Sequence, residues 1–344
     1  MALLFMDGFD CYADTAQAAD GGWSPESGCT INTSGGRFGG GALQFTMAFT
    51  QWTKTFPVVL YGAVVYFGFA YKHTGVATAQ LVRLISDTTA PLITLSHNAS
   101  GNITLQPSSG ANTSEAGNSL TPGSWHWIEV KVTLGTTSSN GAVEVKVNGS
   151  TVINATSQDT NSTGSGASVI ELGAGGASNP NEAYIDDVVI YDATGSTVND
   201  FLGDTKITTH SPTADAATVD WTASAGSDFQ CVDETPNAAN DDTDYISSST
   251  AGQESRFAMG NLADTPSAIH GVQVRYRAKK TDAGDRTVRS LINSSASESV
   301  GNTRGLPTLY RWFYGDFFPL DPNGSIAWTD TTINALEVGV EVVT

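Results

Sequence analysis

The sequence predicts an all-β protein of two domains, a β-sandwich or jelly roll over residues 1–205 and a second, smaller β-sandwich over residues 206–344. Three observations predict it. Short runs of β-branched and aromatic residues recur along the chain. Gly, Asn, Ser and Pro separate them, and no long segment carries apolar residues at helical spacing. A chain of 344 residues is long enough for one large or two medium domains of this kind.

The strands follow in order. The opening run LLFMDGF (3–9) is too apolar for a free tail, and is expected to pair with a strand at Tyr184–Tyr191 that closes the first domain. GALQF (41–45), AVVYFGFAYK (63–72), QLVRLIS (80–86), LITLSHN (92–98) and NITLQP (102–107) come next. Residues 62–71 (GAVVYFGFAY) are apolar on both faces, the mark of a strand covered on both sides. SWHWIEVKVTL (124–134) leads to AVEVKVNGSTVINAT (142–156). There Asn148-Gly149 is read as a two-residue type I′ turn, because both residues tolerate positive φ. Val143, Val145 and Val147 form the inward face of that hairpin, with Glu144 and Lys146 in water. SVIEL (168–172) and EAYIDDVVIYD (182–192) complete the unit.

A polar stretch at 203–215 marks the boundary. Beyond it, FQCVDE (229–234), GVQVRYRAKK (271–280), TVRSLIN (287–293), TLYRWFYGDFF (308–318) and LEVGVEVV (336–343) read as strands. Residues 328–339 begin with a Thr/Asp cap suited to one helical turn before the last strand.

Sixteen basic residues stand against 35 acidic ones, a net charge of −19, and both halves share the deficit: 6 against 17 up to residue 205, and 10 against 18 after it. Such a surface repels a phosphate backbone, so no nucleic acid is expected as a partner. No run approaches the roughly 20 apolar residues a membrane helix needs, so no membrane is expected either. The start lacks a basic segment and carries Asp7, unlike a secretory signal, so synthesis in a cytoplasm is expected. Cys11, Cys29 and Cys231 are odd in number and lack metal spacing, and are read as free thiols. Pairing of Cys11 with Cys29 stays open.

Residues 1–205 resemble the concanavalin A-like, laminin-G-like jelly rolls. The resemblance rests on the Gly-rich turn GRFGGGALQF (36–45), the Trp-bearing strand and Asn-Gly hairpin of 122–154, and the closing strand YIDDVVIYD (184–192), in that order. The whole chain is similar to two-domain virion proteins of tailed bacteriophages, through DGFDCY (7–12), NDFLGDTKI (199–207), residues 271–292 and residues 321–342. That likeness implies a non-enzymatic structural component of head or tail. It would be present in many copies and docked on other virion proteins, with the virion as its location. A module that binds glycans on the host surface is the alternative, and a glycoside hydrolase the third reading.

The adjacent Asp186 and Asp187 decide against catalysis at first sight. Neighbouring strand residues face opposite ways, so the pair cannot act together on one substrate. In the resembled family the acidic position fastens a neighbouring loop by charge-assisted hydrogen bonds, which makes both aspartates structural anchors. The histidines His73, His97, His126, His210 and His270 are isolated in sequence. Asn240, Asp242 and Asp244 alternate like oxygen ligands for Ca²⁺ but lack the Gly and distal Glu of an EF-hand, so no cofactor or metal is expected, with Ca²⁺ as the alternative there and at the aspartate pair. Trp125 and Trp127 share one strand face and are read as core, with sugar stacking as the alternative. Tyr310, Trp312 and Tyr314 are candidate interface or glycan aromatics. Arg275, Arg277 and Lys279 form a basic stripe that would steer docking of the C-terminal domain, or simply pair with Asp282, Asp285 and Glu298.

Overall fold

The computed structural model describes residues 3–46, 50–75, 78–109, 112–114, 117, 120–160, 166–173 and 182–344, and the chain divides into two compact units, Met1–Thr208 and Thr209–Thr344. The fold class is the one the sequence predicts. The first unit packs two antiparallel sheets. One is ordered Ser150–Gln158, Gly141–Val147, His126–Thr133, Val64–His73, Ala183–Asp192, Ala42–Phe45 and Cys29–Asn32. Leu3–Asp7 also pairs with Ala183–Asp192, Met6 opposite Val189, so the apolar start closes this sheet as expected.

The second sheet is ordered Thr113–Ser114, Ile103–Pro107, Pro91–His97, Ala79–Ser86, Ala167–Leu172, Trp52–Leu60 and Trp23–Pro25. Alternation sorts its side chains. The row Trp52, Leu172, Val82, Leu95 and Leu105 is buried. Phe67, Phe69 and Ile128 of the first sheet are buried as well.

Among the elements that differ from expectation, such as the unforeseen strands Cys29–Asn32, Pro212–Val219 and Glu254–Met259, two are instructive. Trp52–Leu60 is a strand despite Pro57, which cannot donate to a ladder. Its pairing with Ala167–Leu172 skips from Thr55 to Leu60, so the proline sits in an irregularity rather than in the ladder. Residues 229–234 are not a strand, since Phe229–Cys231 is a 3₁₀ turn tied by the Phe229 N–H to Asp215 Oδ1 at 2.6 Å.

In the second unit Pro212–Val219, Glu254–Met259, Glu337–Val342, Thr287–Ser294 and Ser297–Val300 form one sheet. Val272–Ala278 and Arg311–Phe318 form a separate ribbon. Val274 and Phe318 of the ribbon pack with Ile292 of the sheet, closed by Trp328 and Leu336. The short helix Asp330–Asn334 has the expected cap: Thr329 accepts the N–H of Thr332, whose side chain accepts that of Thr329.

Candidate functional site

The solvent side of the second sheet in the first unit carries two rows of polar side chains. Direct pairing puts Thr53, Glu171, Arg83, Thr94 and Gln106 in one row across five strands. Gln80, Ser96 and Thr104 form a second row beside it. The pleat generates both rows, because the residues between them in each strand are the buried ones.

At one end of this face stands a four-residue cluster. Arg83 makes an ion pair with Glu171 and donates from its guanidinium to Gln51 Oε1 at 2.9 Å. Gln51 Nε2 then donates to Glu26 Oε1 at 3.2 Å and to Glu171 Oε1 at 3.5 Å. One amide nitrogen therefore bridges two carboxylates, which keeps those oxygens less than about 7 Å apart. Paired carboxylates that cleave glycosidic bonds work at roughly 5–9.5 Å. The backbone fixes the pair as well, since the N–H of Glu26 donates to the carbonyl of Gln51 at 3.0 Å. Glu26 is exposed and Glu171 is half-buried.

Further along the face lies a cavity of about 210 Å³, bordered by Ser96, His97, Asn98, Thr104 and Gln106 among others. His97 reaches it from the interior. Its Nε2 lies 3.0 Å from the Tyr71 hydroxyl of the opposite sheet and its Nδ1 3.0 Å from the Asn98 carbonyl oxygen. The His73 ring is centred 4.6 Å away. His126 lies within electrostatic reach of His73, and its own ring faces Thr121 and Asn148. Burial pushes the His97 pKa down to about 4, and lowers those of His73 and His126. Three histidines that look isolated in sequence are thus brought to one end of the sandwich. Among the described residues, no group of three or more His, Cys, Asp or Glu side chains is arranged to hold a metal ion. The three cysteines are buried, and none of them forms a disulfide.

Asp186 and Asp187 stand on the first sheet, away from this face. Asp187 has φ of 54°, and pairing with Val64–His73 skips from Asp186 to Val189. This bulge cancels the strand alternation, and corrects the expectation that the two carboxylates diverge. Both meet Arg37: Asp186 Oδ2 accepts its backbone N–H at 2.7 Å, and Asp187 Oδ2 lies 3.8 Å from its guanidinium. Asp187 Oδ1 accepts the N–H of Ile207 at 2.8 Å, while Asp204 takes the far side of the guanidinium at 2.6 Å. The pair fastens the Gly-rich turn and the exit segment of the domain to the same strand. Burial holds both carboxyls above the usual carboxylate range, and the Asp187 charge adds to this for Asp186.

Trp127 is buried, yet outside the sandwich interior. Its ring covers Gly68 on the outward side of the first sheet. Trp125 is half-buried on the same side, with the Lys72 ammonium 4.8 Å from its ring centre and 4.4 Å from that of Tyr184.

In the second unit the basic stripe and the aromatic segment turn out to be one ladder. Arg275 pairs opposite Tyr314 and Arg277 opposite Trp312. The Arg275 guanidinium lies 4.4 Å from the Tyr314 ring centre, and Lys279 lies 4.6 Å from that of Tyr310. Asp241 accepts both Arg277 Nε at 2.6 Å and a second guanidinium nitrogen at 3.0 Å, and Asp242 pairs with Lys279. The acidic partners of Arg277 and Lys279 thus come from the loop weighed above as a calcium site.

Sequence reasoning missed Glu26, Gln51, Arg83 and Glu171. The one signal available was alternation: the strands QLVRLIS and SVIEL each carry a single charge amid apolar residues, at Arg83 and Glu171.

No family model and no characterised protein sequence matches the chain. Solved structures do. An endo-β-1,4-glucuronan lyase from the fungus Trichoderma reesei matches over 58% of this chain and 93% of its own, at 11% identity and a TM-score of 0.39. The alginate lyase vAL-1 from Chlorella virus matches over 55% and 99%, at 13% identity and a TM-score of 0.39. A sialidase matches over 55% of this chain but only 18% of its own, at 12% identity and a TM-score of 0.40. At these identities the likeness concerns fold. It nevertheless corrects the expectation of a non-enzymatic component, with or without glycan binding. The jelly-roll pattern taken as a docking scaffold is also the architecture of polysaccharide-cleaving enzymes, and a fold pattern does not by itself choose between them.

Proposed function

We propose that the first domain is a carbohydrate-active enzyme that cleaves polysaccharide at the Glu26–Glu171 pair. The observation that carries this reading is the shared Gln51 amide, which holds two carboxylates less than about 7 Å apart on an open face. Glu171, fixed by Arg83 and Gln51, is the member with the set position. Glu26 stands on the exposed rim. Such a pair supplies one group to protonate the leaving oxygen and one to attack the sugar or activate water. The rows of hydroxyl and amide side chains offer the hydrogen bonds that orient a saccharide.

The test is to incubate the protein with a panel of neutral and acidic polysaccharides and count new chain ends. Glu171→Gln should lower the rate by about 10²–10⁴-fold, the usual worth of a positioned acid or base, with an unchanged thermal melt. No cleavage of any polysaccharide, or full activity in both Glu171→Gln and Glu26→Gln, overturns the reading.

A further inference from the structure

The polar face extends well beyond the carboxylate pair, and its chemistry is selective. From Glu171 the row crosses Arg83 and Thr94 to Gln106, three strand spacings of about 4.8 Å or roughly 14 Å in all. A pyranose unit of an extended chain advances by about one such spacing. At the far end, Thr104 and Gln106 border the cavity together with Ser96 and Asn98. Its described lining carries no acidic or basic side chain besides the imidazole of His97, which burial keeps neutral at ordinary pH. Beside it, Gln80 pairs with Ser96, and its buried Nε2 has no hydrogen-bond partner, so a donor is left to offer.

Charge decides the class of sugar. Arg83 is the one cation in the two rows, and Glu171 compensates it. A uronate chain brings a carboxylate on each unit and needs unpaired cations to meet it. The described part of this face offers none, and the protein around it carries a net charge of −19. A hydroxyl-bearing chain needs only the donors and acceptors that are there.

We infer that the site takes an uncharged polysaccharide laid across the strands, with the cavity at Thr104 and Gln106 as a distal subsite about three sugar units from the Glu26–Glu171 pair. This deepens the proposed activity and rests on it for the position of the cut, though not for binding.

Binding to the Glu26→Gln protein, in which Glu171 still pairs with Arg83, measured by calorimetry, separates the two. The probes are a neutral β-glucan, its short and long oligosaccharides, and alginate as the polyuronate. The expected result is binding of the β-glucan and its long oligosaccharides but not of alginate. Gln106→Ala and Thr104→Val should each weaken the long oligosaccharides by up to about tenfold, the worth of one hydrogen bond, and leave the short ones unchanged. Alginate bound as tightly as the β-glucan overturns the inference, as does an equal effect of both variants on short and long chains. Length-dependent neutral binding without any cleavage by the wild-type protein upholds the subsite and overturns only the catalytic reading.

Discussion

Asp187 accepts the backbone N–H of Ile207 at 2.8 Å, and so ties the last residues of the first unit back to its closing strand. The bond is buried on the aspartate side, where the carboxylate is 2% exposed, so water cannot replace it when it is lost.

Asp187→Ala should therefore lower stability by about 1–3 kcal/mol, the cost of a buried group left without its partner. Urea melts of the first unit would read it. Asp186→Ala should act similarly, because the Arg37 N–H loses its acceptor. Two melts that match the wild type would remove the anchor role from both.

The same pair gives a pH dependence. Both folded-state carboxyls titrate above the ordinary 3.8, so the folded chain binds protons more tightly than the unfolded one. Their contribution is fully present below about pH 4 and declines as pH rises toward neutrality. Asp186→Asn, which cannot titrate, should flatten that decline in melts taken across this range. An identical pH profile for variant and wild type would count against titration of this buried pair.

The histidines run the other way. His73, His97 and His126 titrate below their ordinary 6.5 in the folded chain. Their contribution is whole above pH 6.5 and is lost as pH falls from there through about 4, the His97 value. Replacing His97 with Gln should flatten the acid side of the stability curve, whatever it does to the melt at neutral pH. A curve as steep as the wild type's would place the acid sensitivity elsewhere.

Gly68→Ala tests the outward packing of the first sheet. A Cβ there would stand 2.7 Å from the Trp127 ring and 3.2 Å from Val189, both buried. Overpacking of this kind costs about 1–3 kcal/mol, and the ring must shift, so the tryptophan emission should change with the melt. A neutral substitution would mean that the ring has room to move.

Much of the fold is legible where local chemistry is strong. Asn148 and Gly149 adopt φ of 48° and 81°, as the type I′ reading of that dipeptide requires. The apolar opening segment finds the closing strand because nowhere else would bury it. Trp52–Leu60 is not legible, because Pro57 signals against a strand and only the partner strand absorbs it. Glu26 and Glu171 are far apart in the chain, and the Gln51 that joins them belongs to neither neighbourhood. The histidine group is equally hidden. His126 pairs with Tyr71, two residues before His73, and that register exists only in the sheet. Asp186 and Asp187 mislead for the opposite reason: alternation predicts divergence, and a bulge undoes it.

The contact between Gly8 and Ile207 has a consequence for how the first unit can be rewired. A Cβ on Gly8 would come within 3.1 Å of the Ile207 side chain, so the chain enters and leaves this unit at one spot. A unit with adjoining ends is a cassette. It can be spliced into an exposed loop of an unrelated host without prying that loop apart. It can also be circularly permuted: the two ends joined by a short Gly-Ser bridge, and new ends opened at the Asn148-Gly149 turn, where the backbone is exposed. The permuted chain keeps every strand neighbour except across that one turn, and should fold to the same two sheets.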